Sequence, residues 1–166
     1  ELADNGKITR CFVSGVITGE HSVGGIAGIA GSSSGNTSIM DCEFSGLVVG
    51  RYAGGIAGRV SGTVRSSYSS GHISAGLYSG GIAYSNSGII ENCYSLASVG
   101  GNLTGGIAGE NNGLIKNSVA LNKEVSAGES AGAVAGESQN DGKEINCYAR
   151  EGLLSDGNFK RIYCTA

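Results

Sequence analysis

The residues able to do chemistry in this chain are few, and most are scattered. His21 and His72 are the two histidines. They occupy unrelated places and read as solvated surface side chains rather than as a pH switch or ligand pair. A carbohydrate-cleaving site needs two or three carboxylates on one face. Asp4, Asp41, Asp141 and Asp156 lie in different parts of the chain and build no such face. Asp41, Asn92, Asn117 and Asn146 do recur, each one residue before a Cys or Ser. That column reads as a hydrogen-bonding ladder, because calcium needs more carboxylates than one per site. The glycine-rich loops lack the Lys-Ser/Thr of a nucleotide loop and open no helix, so a phosphate site is excluded. No cofactor is implied.

Cysteine and tyrosine carry more pattern. Cys11, Cys42, Ser67, Cys93, Ser118 and Cys147 fill one recurring position, at intervals of roughly 25 to 31 residues, a spacing in the range of repeat units. A position that accepts either Cys or Ser is a small buried slot. A bridge between Cys11 and Cys42 is geometrically conceivable, whereas zinc is disfavoured because there is no Cys-x-x-Cys and serines interrupt the series. Cys164 stands outside the pattern. Tyr52 and Tyr78 each precede a Gly-Gly pair by two residues and should stack along one edge, the best candidate for contact with a ligand or partner. Tyr68, Tyr94 and Tyr148 share a second column just after the Cys/Ser position. Exposed aromatic ladders can stack on sugar rings or anchor a protein partner. Ordinary strand packing is the competing explanation.

The elements that position these residues are repeats. Gly-Gly-Ile-Ala-Gly begins at Gly24, Gly54 and Gly105, with variant copies at Gly80 and Gly132. The first glycines of successive copies are therefore about 25 to 30 residues apart, in step with the Cys/Ser position. Two motifs sharing one period mark a repeat architecture with a unit of about 26 residues. Three residues before the Cys/Ser slot sits Ile8, Ile39, Val64, Ile90 or Ile115. The last copy has Glu144 there and Ile145 one place later, as though the register slips.

A unit this short cannot bury its own apolar residues, so each coil must be covered by its neighbours. Val, Ile, Phe and Tyr in short runs bounded by Gly, Asn and Ser favour strands, and 31 glycines leave no helix-length window intact. The sequence therefore predicts an all-β fold, a parallel β-solenoid of about six coils stacked roughly 4.8 Å apart into a rod of about 29 Å. A right-handed coil is expected from the handedness of parallel crossovers. Ile26, Ile56, Ile82, Ile107 and Val134 should form its inward core column. Residues 1–150 are assigned to the solenoid and 151–166 to a C-terminal cap or the start of a further segment.

Net charge is −3 with an isoelectric point near 5.3, and Lys and Arg are scattered, which argues against nucleic acid. No apolar stretch approaches the roughly 20 residues of a membrane span, and no basic-plus-apolar leader is visible. The chain begins at Glu1, inside a coil, and reads as a segment of something longer.

The alternation of Gly-Gly-Ile-Ala-Gly with Gly88-Ile89-Ile90-Glu91-Asn92-Cys93-Tyr94-Ser95 resembles the GLUG repeat. The likeness runs from about Gly6 to Tyr148. It implies a bacterial surface or secreted protein, in the company of immunoglobulin A-cleaving metallopeptidases and filamentous adhesins, with the repeats beside catalytic or anchoring modules. It supplies no catalytic residues, and the zinc-binding His-Glu-x-x-His of those peptidases is absent. The expected role is a non-catalytic rigid spacer whose partners are other domains of a larger chain. The alternative is an adhesin module that grips host glycans or glycoproteins through the Tyr52/Tyr78 edge. A carbohydrate-active β-helix enzyme stands further off.

Overall fold

The computed structural model describes residues 1–32, 36–139 and 142–153, and every regular element within them is a β-strand. Asp141, Asp156, Cys164 and nearly all of the expected C-terminal cap lie outside the described residues. The strands form three parallel sheets, one per face of a β-solenoid of about five turns. The short face pairs Lys7–Thr9, Ser38–Met40, Thr63–Arg65, Ile89–Glu91, Leu114–Lys116 and Lys143–Ile145 in that order. The glycine face pairs Ala27–Ala30, Ala57–Val60, Ala83–Asn86, Ala108–Asn111 and Ala135–Ser138. The wide face starts at Phe12–Thr18 and carries the long strands Glu43–Gly54 and Tyr68–Gly80. Among the described residues the short face thus holds six rungs and the glycine face five.

The core runs along the axis. Ile56, Ile82 and Ile107 are fully buried and Val134 almost so, while Ile26 in the first turn is half-buried against them. Their main chains form a continuous ladder. The N–H of Ile26 donates to Ile56 O at 2.8 Å, Ile56 to Ile82 at 2.9 Å, Ile82 to Ile107 at 2.8 Å and Ile107 to Val134 at 2.8 Å. A second column, Ile39, Val64, Ile90 and Ile115, is buried behind the short face. Each such side chain contributes roughly 1.5–3 kcal/mol of apolar burial, which a single isolated coil could not obtain.

The Gly-Gly pair is dictated by close approach. A Cβ on Gly80 would overlap the carbonyl oxygen of Ala83, and one on Gly81 would overlap both Gly106 O and the Ser95 side chain. Phe44, Ser69 and Ala120 take the corresponding place beside Gly25, Gly55 and Gly106. The second glycine is therefore the floor on which the inward residue of the wide face rests.

Two expectations are corrected. The Asp41/Asn92/Asn117/Asn146 column is a sharp corner rather than primarily a ladder. Arg10, Asp41, Ser66, Asn92, Asn117 and Asn146 have φ of 53°, 54°, 49°, 53°, 50° and 51°. Asn and Asp tolerate this left-handed region better than other side chains do. One ladder bond accompanies it, from Asn146 Nδ2 to Asn117 Oδ1 at 3.3 Å. In urea titrations, Asn92→Val should lose about 1–2 kcal/mol, whereas Asn92→Gly should stay within about 0.5 kcal/mol of the parent.

The apparent register slip at the last copy is also absent. Ile115 pairs with Glu144 and Lys116 with Ile145, so Glu144 takes the place of the core isoleucine and Ile145 is exposed. The carboxylate is held there by hydrogen bonds from Asn111 Nδ2 at 2.7 Å and Ser138 Oγ at 2.6 Å. Asn111 Oδ1 in turn accepts from Asn86 Nδ2 at 2.8 Å, which continues the buried polar run across three turns.

Candidate functional site

The Cys/Ser slot is a structural joint. Cys42, Ser67, Cys93, Ser118 and Cys147 are buried, and Cys11 in the first turn is half-buried. Each side chain donates to the carbonyl two residues earlier, Ser67 Oγ to Arg65 O and Ser118 Oγ to Lys116 O, both at 2.9 Å, and Cys93 Sγ to Glu91 O at 3.2 Å. The serine oxygens also accept the backbone N–H of the slot residue one turn back, Cys42 at 3.1 Å and Cys93 at 3.2 Å. Sulfur and oxygen serve the same bonds, which is why the two residue types alternate. Cys11, Cys42 and Cys93 are free thiols. Burial pushes the Cys93 thiol up to about 12 and raises that of Cys42, so both are poor nucleophiles at neutral pH.

Two aromatic edges remain. Tyr52 and Tyr78 sit opposite each other in register, with ring centroids 5.7 Å apart in an edge-to-face arrangement. Both are half-buried. A third ring, unseen in the sequence, joins them. Tyr84 lies 5.2 Å from Tyr52, and its hydroxyl is 3.0 Å from Ser22 Oγ. Tyr84 occupies the place of the last glycine of the repeat, between Gly58 and Gly109 on the neighbouring rungs. The one copy of the motif that lacks its final glycine was the available signal. Arg51 lies over Tyr52 at 5.7 Å from the ring centroid, within cation–π range.

The second edge runs down the outside of the wide face through Phe12, Glu43, Tyr68, Tyr94, Val119 and Tyr148, one per rung. Phe12 and Tyr148 are 63% and 67% exposed, more open than the Tyr52/Tyr78 pair. Tyr68 and Tyr94 are stacked at 4.6 Å with an angle of 6° between their planes. At the first turns this edge borders a cleft of about 400 Å³. Arg10, Phe12, Asp41, Glu43, Ser66 and Tyr68 line it, with Cys11 and Cys42 beside them. The Tyr68 hydroxyl is hydrogen-bonded to Glu43, and this bond, reinforced by the carboxylate charge, lifts its pKa to about 12. In an ultraviolet titration one tyrosine should therefore resist ionisation until about pH 12, and Glu43→Gln should remove that late step.

No family model matches the chain, and no curated protein matches it. Among solved structures, the chain is similar to the crystal structure of a "putative immunoglobulin A1 protease" from Bacteroides ovatus. The TM-score is 0.58 at 23% identity, over 96% of this chain and 61% of that one. This likeness shows the fold. The chain spans 61% of the length of that neighbour, and the GLUG likeness stays a resemblance of residues.

Proposed function

We propose that this chain is a non-catalytic, rigid repeat module of a bacterial surface or secreted protein, one that spaces neighbouring domains and presents a lateral face. The observation that carries the reading is the unbroken main-chain ladder from Ile26 to Val134, over which each turn rests on the next. The kinship in fold with a protein from Bacteroides ovatus supports a bacterial setting. Stability of such a stack is approximately a sum over coils and their interfaces, so coils should be interchangeable. Gly81 and Gly106 are equivalent on adjacent turns, and excising residues 81–105 rejoins Gly80 to Gly106 with the motif intact. The shortened chain should fold and lose about 4.8 Å of length in solution scattering. A deletion variant that stays unfolded would sink the interchangeable-coil reading.

A second reading, an adhesin module using the Tyr52/Tyr78 edge, is supported by the contact between those rings. It predicts that binding to immobilised mucin or immunoglobulin A, if saturable, is lost in the Tyr52→Ser/Tyr78→Ser double variant while the fold persists.

A further inference from the structure

We propose that the open edge of the first turn, strand Phe12–Thr18, is a self-association surface that pairs antiparallel with the same strand of a second copy of this chain. Among the described residues this strand pairs with Glu43–Gly54 alone. The Glu43 N–H donates to Cys11 O at 2.8 Å and the Gly19 N–H donates to Val49 O at 3.1 Å. The register between those two bonds is unbroken. The odd-numbered residues therefore bond to the second turn, and the amides and carbonyls of Phe12, Ser14, Val16 and Thr18 face the open side.

That side is built to be covered. Edge strands are ordinarily blunted by charge or proline, and Phe-Val-Ser-Gly-Val-Ile-Thr has neither. Phe12 and Val16 are 63% and 70% exposed, while Val13 and Ile17, which lie over the core, are only partly buried. The space beside Gly46 is filled by the Gly15 carbonyl oxygen and that beside Gly71 by the Gly46 carbonyl oxygen, whereas nothing lies within 4 Å of the same position on Gly15. The first turn thus leaves open the place that a neighbouring strand fills on the next two.

The occupant follows from the sequence of the edge. Turned about Gly15, the strand is its own complement. Phe12 meets Thr18 of the second copy and Ser14 meets Val16, and these four are the residues whose backbone groups face the open side. Each such opposed pair exchanges two hydrogen bonds, about eight in all. Val13 meets Ile17, so inward side chains meet inward ones and the two half-open core ends close each other. Gly15 meets Gly15 at the centre, where the absence of a side chain allows close approach. The same register sets Arg10 opposite Glu20 of the second copy, once at each end of the pair. Both residues are exposed, and neither is ion-paired among the described residues. A parallel strand from a further coil would use neither the twofold register nor this opposition of charge.

The test is sedimentation equilibrium of the whole chain from about 1 to 500 µM. One strand pair with its adjoining end face is small for an interface, so a dimer with Kd on the order of 10–100 µM is expected. Ser14→Lys/Val16→Lys changes two exposed side chains and sets lysines opposite each other across the pair. It should weaken association at least about tenfold and leave the melting temperature of the dilute monomer unchanged. Arg10→Glu and Glu20→Arg should each weaken it about three- to tenfold, and the combined Arg10→Glu/Glu20→Arg should restore it. The inference is overturned if the chain stays monomeric throughout, if the lysine variant dimerises as the parent does, if the charge exchange restores nothing, or if assemblies grow beyond two copies. A labelled peptide with the sequence of Glu43–Gly54 is the rival probe, because it would take the edge in parallel. Its capture by a chain that remains monomeric would assign the edge to a further coil and likewise overturn the pairing. The coil deletion tests the spacer reading separately.

Discussion

Ile82→Asp should abolish folding, or lower stability by more than about 5 kcal/mol in urea titrations followed by circular dichroism. Ile82 is fully buried at the middle of the core column, and its backbone is bonded to Ile56 on one side and Ile107 on the other. The substitution removes roughly 1.5–3 kcal/mol of apolar burial. It also places in the interior a carboxylate for which the neighbouring isoleucines offer no partner, a larger penalty of several kcal/mol. Because each coil is supported only by its neighbours, damage in the middle separates the two halves of the array. Ile82→Val keeps shape and apolarity and should cost about 0.5–1.5 kcal/mol. An Asp variant that melts within a degree or two of the parent would show that the column does not face inward.

Gly80→Ala should be nearly as damaging, at about 3 kcal/mol or more, although it adds a single methyl group. The clash is with the backbone, at Ala83 O and at the adjacent turn around Ala108 and Gly109, and a backbone held by ladder bonds on both sides cannot move aside. Gly76 is the control. It lies in the same long strand, Tyr68–Gly80, and a Cβ there would approach nothing closer than Arg51 Cα at 3.9 Å. Gly76→Ala should be neutral or stabilise by up to about 1 kcal/mol through the unfolded chain. Equal effects at the two positions, measured by thermal melts, would contradict the close-approach explanation.

The fold was legible because spacing alone identifies what must stack. Positions about 26 residues apart that alternate Ile with Ile, or Cys with Ser, can do so only if a coil of that length repeats. Chemistry within a column was harder to read. Asn and Asp before the slot suit both a ladder and a left-handed corner, and only the φ values decide between them. Glu144 in an isoleucine position suggested a slip, because the sequence could not show Asn111 and Ser138 waiting to bond it. The aromatic edges divided in the same way. The Tyr68/Tyr94/Tyr148 column was visible from its period. Tyr84 reaching across to Tyr52 depends on which side of a strand faces out and on register across turns.

The central claim is that these repeats form one continuous stack, and the distance between its ends tests it most directly. Spin labels at Lys7→Cys and Lys143→Cys would mark the first and last rungs of the short face, five steps apart in register. The native cysteines can first be changed to serine, a change the slot should accept because Ser67 and Ser118 already fill it. A continuous solenoid predicts a backbone separation of about 24 Å, extended only by the label arms and narrowly distributed. A broad distribution, or a mean beyond about 40 Å where five steps between stacked rungs allow only about 24 Å, would mean that the coils do not stack and that the account is wrong.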